Sequence, residues 1–91
     1  MGTTTPLHIR RDRLLAEVAK KHGLTVAQIT GNRRTRPVCR ARHEWFYRAR
    51  AELGMTLPRI GQVTGGRDHA TVIYGIKRHA AAMCADEQAG A

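Results

Sequence analysis

Apolar residues recur three and four places apart along almost the whole chain. From Ile9 onward, Leu14, Leu15, Val18 and Ala19 make one stripe, and His22-Gly23 stops it. That spacing predicts an amphipathic helix ended by a glycine. Thr25-x-x-Gln28 has the form of a capping box and predicts a short helix holding Val26 and Ile29, closed by Thr30-Gly31-Asn32. Residues 33–37 have no apolar period and predict an exposed loop. A long helix is expected over 38–53, with Gly54 as its stop. Its inward ladder is Ala41, Trp45, Ala49 and Leu53, with Phe46 beside it.

Thr56 is placed to cap a further short helix, Pro58 falls in its first turn, and Ile60 and Val63 are its apolar residues. Thr64-Gly65-Gly66 then predicts a tight turn. The last helix is expected over 68–83, with Val72, Ile76, Ala80 and Met83 facing inward and Asp68 at its positive end. No segment alternates as a strand does, and no repeat is present. The expectation is an all-α fold: a small helical domain of about five helices, with a helix-turn-helix preceded by a basic loop. Residues 1–8 read as a flexible leader, 9–84 as the domain and 85–91 as a flexible tail.

Charge sharpens this picture. Sixteen Lys and Arg face seven Asp and Glu over 91 residues, a net charge of +9. The excess is concentrated: residues 31–50 hold seven arginines (Arg33, Arg34, Arg36, Arg40, Arg42, Arg48 and Arg50) against Glu44 alone. Such a footprint calls for a polyanion, and the planar guanidinium fork suits phosphates and guanine edges. With aromatics at 4%, an RNA-stacking sheet is disfavoured. No apolar run approaches the ~20 residues of a membrane span, and the first residues lack the apolar core of a signal peptide, so the expected partner is not a membrane and the expected compartment is the cytoplasm.

Catalysis and metal binding find little support. His8, His22, His43, His69 and His79 are scattered, and the carboxylates are too few and too separated for a metal-dependent nuclease. Cys39-x3-His43 and His79-x4-Cys84 have helical spacing, but the paired-cysteine knuckles of structural zinc are missing. Neither an enzyme, a metal site nor a cofactor is expected.

The helix-turn-helix carries a more specific signal. The run Gly65-Gly66-Arg67-Asp68-His69-Ala70-Thr71-Val72-Ile73 resembles the signature of the C-terminal DNA-binding domain (domain IV) of the bacterial replication initiator DnaA. The resemblance reaches back through Leu57-Pro58-x-Ile60-Gly61 and Arg33-Arg34-Thr35-Arg36 to the first helix, about three quarters of the chain. It implies binding of duplex DNA at DnaA boxes, short asymmetric A/T-rich sites ending in a CACA-like half. By that similarity Asp68, His69 and Ala70 meet base edges in the major groove and Arg34 enters the minor groove. Arg33, Arg36, Arg42, His43, Leu57, Pro58, Arg67, Thr71 and Lys77 lie at phosphates or base edges.

Three positions depart from the family pattern. Ala70 stands where a threonine is usual, His43 where a glutamine is, and Asn32 where a basic residue is. The 91 residues also contain no GxxxxGK[ST] phosphate loop. The expected protein is therefore a stand-alone, sequence-specific binder of double-stranded DNA without ATPase activity, monomeric on a single site and nucleoid-associated. It would act as a small bacterial or phage transcription regulator, with other regulatory proteins or RNA polymerase as further partners, or as a competitor of the initiator. The alternative is a protein-interaction module or a nonspecific DNA binder on the same basic helical fold.

Overall fold

The computed structural model describes residues 6–32 and 34–89, with side chains through residue 84. Five helices follow one another: α1 Leu7–Lys21, α2 Val26–Thr30, α3 Arg36–Leu53, α4 Leu57–Val63 and α5 His69–Ala89. Among the described residues there is no strand. The all-α architecture read from the apolar spacing is the observed one. Residues 1–5 of the expected leader and 90–91 of the expected tail lie outside the described residues, as does Arg33.

Helix ends follow local chemistry. Pro6 offers its carbonyl to the amides of Ile9 and Arg10, so α1 opens at Leu7, two residues before its apolar stripe begins. Thr25 and Gln28 form the reciprocal capping box that starts α2. The largest boundary change is at α3, which begins at Arg36 rather than after Pro37. A proline in the first turn sacrifices only an amide that has no helical partner there, so the helix runs through it and draws Arg36 out of the loop. Gly54 closes α3 in the left-handed conformation, φ 64°. At the other end, α5 continues past Met83 to Ala89 through an alanine-rich stretch of high helix propensity.

Leu14, Leu15, Val18, Ala19, Ile29, Ala41, Trp45, Phe46, Ala49, Met55, Ile60 and Val72 form one core. The ladder of α3 supplies its centre, with Trp45 and Phe46 fully buried. Leu53 and Ile76 pack only on its margin, and Met83, expected inside, is 40% exposed. Among the described residues of α5, Val72 alone is in that core, so the apolar stripe beyond it outruns the body it packs on. Contact between α5 and α3 is close because Gly75 has no side chain. A Cβ there would meet the rings of Phe46 and His43.

Trp45 also makes a polar contact. Its Nε1–H donates to Thr64 Oγ1 at 2.8 Å, and that hydroxyl donates to the carbonyl of Ile60 at 2.7 Å. Both side chains are fully buried. The chain therefore pins the end of α4 to the middle of α3, and buried polar atoms satisfied in this way specify a single geometry.

Candidate nucleic-acid interface

Thr56 caps α4 by accepting from the amide of Arg59, and Pro58 lies in the first turn. The turn that follows is organised around Gly61. Its carbonyl accepts from the amides of Thr64, Gly66 and Arg67 at 3.2, 3.0 and 2.9 Å. A Cβ on Gly61 would collide with the backbone of Arg67, so only glycine permits this fold-back. Gly65 and Gly66, at φ 77° and 81°, complete the turn in a conformation that L side chains rarely adopt.

Asp68 then begins α5. Its Oδ1 accepts from the Thr71 amide at 2.9 Å, the N-cap geometry. That amide hydrogen bond, followed by one from the Thr71 side chain, holds the Asp68 carboxyl below its ordinary pKa although it is fully exposed. Asp68, His69, Ala70 and Thr71 are all exposed at the head of the helix. Tyr74, at 59% exposure, continues the same face one turn on, and Lys77 and Arg78 follow. The DnaA-like signature did not single out Tyr74 or Arg78. Helical spacing from Ala70 and Thr71 was the signal that could have found them.

The basic loop meets the turn through two arginines. Arg42 is 5% exposed; its Nε donates to the Ile29 carbonyl at 2.8 Å and its Nη2 to that of Gly31 at 3.0 Å. Arg67 donates from Nη2 to the same Gly31 carbonyl at 2.6 Å, and from Nη1 to the carbonyls of Thr30, at 3.5 Å, and Thr64. The last carbonyls of a helix lack helical donors, and cationic side chains suit that negative end. Both guanidinium groups thus serve the end of α2, and α3 carries Arg42 inward because it follows Ala41 on the buried edge of that helix.

Arg34 and Arg36 are exposed, Pro58 likewise, and Leu57 packs partly on the core. Arg34 stands near enough to Arg42 and Arg67 to help lower the pKa of each, though burial is the larger cause for both. Among the described residues no carboxylate pairs with Arg34, Arg36, Arg40 or Arg67. Glu17, Glu44 and Glu52 are engaged elsewhere. Buried Glu44 takes Lys21, His22 and Arg48, and Arg48 also reaches Glu17 and Glu52, both at 2.6 Å. Burial would raise the Glu44 pKa, yet the hydrogen bonds from His22 and Lys21 prevail and lower it. Among the described residues the ion pairs thus lie on α1 and α3, away from Arg34, Arg36 and Arg67.

His43 is partly buried between these regions, its ring edge-on to Tyr74 at 6.0 Å. Burial first, then Arg42 and Arg78, then His79, lower its pKa. Cys39 and Cys84 are free thiols, and among the described residues no group of three or more His, Cys, Asp and Glu is gathered to hold a metal. No helix among them is long and apolar enough to cross a membrane.

Two helices meeting at a glycine turn, the second opening on exposed polar residues near the exposed Arg34 and Arg36, define a helix-turn-helix domain of the DNA-binding class. The model of the bacterial DnaA protein helix-turn-helix matches residues 11–78, and the chain belongs to that family. It is similar to the chromosomal replication initiator protein DnaA of Microcystis aeruginosa, 44% identical over 61 residues that cover 67% of this chain and 14% of that protein. The DnaA of Bifidobacterium animalis subsp. lactis is 40% identical over 80 residues, covering 88% of this chain and 14% of its own length. That of Latilactobacillus sakei is 35% identical over 86 residues, 94% of this chain and 19% of its own. The chain thus spans less than a fifth of the length of these relatives. No solved structure matches it.

Proposed function

We propose that this domain binds duplex DNA sequence-specifically, at sites of the DnaA-box type. The observation that carries the proposal is the juxtaposition of two exposed reading elements. The head of α5 presents Asp68, His69, Ala70 and Thr71, and the loop bearing Arg34 abuts the turn before it. A recognition helix enters the major groove by its N-terminal residues. There Asp68 accepts from a cytosine amino group, a donor that suits a carboxylate, while Ala70 lies against a thymine methyl and His69 at a neighbouring edge. Arg34 enters the adjacent minor groove, where an A/T-rich sequence concentrates negative potential. Arg36, Pro58, Thr71 and Lys77 are exposed and placed for phosphates, and Arg33 joins them by its position in the loop sequence.

With Ala70 in place of a threonine, one hydroxyl donor is lost at the base edges, so the preferred site differs from the common box at that base pair. The domain acts without catalysis, as a monomer on one asymmetric site in the nucleoid. Its role is that of a small regulator of transcription or a competitor for the initiator's boxes. Separate tests serve the two roles: reporter transcription from promoters carrying the site, and displacement of the initiator from box DNA.

The binding claim is tested by fluorescence anisotropy with a labelled box duplex and a scrambled duplex of the same composition. Preference for the box by tenfold or more supports it. Equal affinity, falling steeply with salt, leaves a nonspecific phosphate binder.

A further inference from the structure

We infer that Arg42 and Arg67 are positioning residues that couple the two reading elements through the carbonyl of Gly31, rather than contacts to DNA. The inference rests on the duplex-binding function proposed above. Arg34 follows Gly31 by three residues and has no carboxylate partner among the described residues. Its loop is bounded on one side by the start of α3 at Arg36 and on the other by the end of α2. That end is held from two sides. Arg42, anchored in α3, takes the carbonyls of Ile29 and Gly31, and Arg67, anchored one residue before Asp68, takes those of Gly31, Thr30 and Thr64. Backbone proximity agrees, since a Cβ on Gly65 would stand 2.7 Å from the Thr30 carbonyl oxygen.

Reading a minor groove and the neighbouring major groove together requires the loop and the recognition helix to keep one spacing. A misplacement of an ångström forfeits the contacts at one end. A guanidinium suits this task because its planar fork reaches carbonyls on two segments at once, whereas an ammonium is a point donor. The turn itself does not depend on Arg67's side chain, because the Gly61 carbonyl holds the backbone of residues 64–67. Loosening Arg67 therefore uncouples the end of α2, and the Arg34 loop that follows it, from the turn, while the head of α5 stays in place.

The test is a double-mutant cycle on the intact chain with Arg34→Ala and Arg67→Gln, read by anisotropy on box duplexes altered at the A/T end or in the CACA-like half. Arg67→Lys and Arg42→Lys serve as companions, and thermal unfolding accompanies each variant. Global unfolding lowers the active fraction but leaves the ratio of box to scrambled affinity unchanged, so that ratio isolates positioning. The expected result is a roughly tenfold loss of discrimination at the A/T end for Arg67→Gln, with the CACA-like half still read. Arg67→Lys does not rescue it, the salt slope matches that of the parent, and the double mutant is no less specific than Arg34→Ala alone. A salt slope reduced by about one with discrimination retained would make Arg67 a phosphate contact, and strictly additive losses would make it an independent reader. Either overturns the inference. A parent chain without box preference defeats instead the function on which it rests.

Discussion

Arg42 and Arg67 lie 25 positions apart in the chain and donate to one oxygen, the carbonyl of Gly31, at 3.0 and 2.6 Å. Two cations converge on a neutral acceptor, and both have lowered pKa values: burial is the first cause for each, Arg67 adds to it at Arg42, and Arg34 adds to it at both. The helix-end carbonyls offset part of the repulsion between the cations by presenting the negative end of α2.

Arg34→Ala should weaken binding to the box by about 1–3 kcal/mol and relax preference at the A/T end. Competition binding with duplexes changed one base pair at a time measures this. Uniform weakening across all sequences would reduce Arg34 to a phosphate contact.

Asp68→Asn keeps an oxygen that can accept from the Thr71 amide, and so retains the cap, but it presents a mixed donor and acceptor to the bases. The expected outcome is lost preference in the CACA-like half with the melting temperature close to that of the parent. Asp68→Ala loses the cap as well and melts earlier, while nonspecific affinity holds or rises slightly because a negative charge is gone. Unchanged site preference in both variants would leave Asp68 a cap and nothing more.

Thr64→Val removes the acceptor for Trp45 Nε1 and leaves a buried donor unmet. Stability should fall by about 1–3 kcal/mol in chemical denaturation. The nearly isosteric change isolates the hydrogen bond, and a loss below ~0.5 kcal/mol would mean that the turn is held by packing alone.

Acid should destabilise the fold in two stages. The His43 and His79 pKa values are lowered, chiefly by burial, so the unfolded chain binds more protons than the folded one just below pH 6.5. The neutral imidazoles thus contribute stability that is complete above pH 6.5 and is lost as the pH falls through the lower folded values. Glu44 acts in the same direction further down. Its contribution is present above its ordinary pKa of 4.5 and disappears as the pH drops through the lowered folded value. Melting temperatures between pH 7.5 and 4 measure this. The double variant His43→Gln/His79→Gln should flatten the upper stage and spare the lower one.

Much of the fold was legible because it rests on local rules. The stripe through Ala41, Trp45 and Ala49, the Thr25–Gln28 box, the Thr56 cap and the Gly54 stop each depend on residues within a few positions of one another, and each is present in the structure. The start of α5, capped by Asp68, was legible for the same reason. What the sequence hid is long-range. Nothing near Arg42 in the chain distinguishes a buried guanidinium from an exposed one; that is decided by the carbonyls of α2, which reach it only when α3 packs across them. Trp45 reads as apolar core, and its hydrogen bond to Thr64 crosses 19 positions. Met83 reads as inward by spacing, but α5 has by then passed the edge of the core.

The most direct test of the account is the affinity of the purified chain for a DnaA-box duplex against its scrambled counterpart at ~150 mM salt, where phosphate contacts alone bind weakly. At least tenfold preference for the box is the predicted result. Equal affinity for both duplexes would contradict it, leaving a basic helix-turn-helix that holds DNA without reading it.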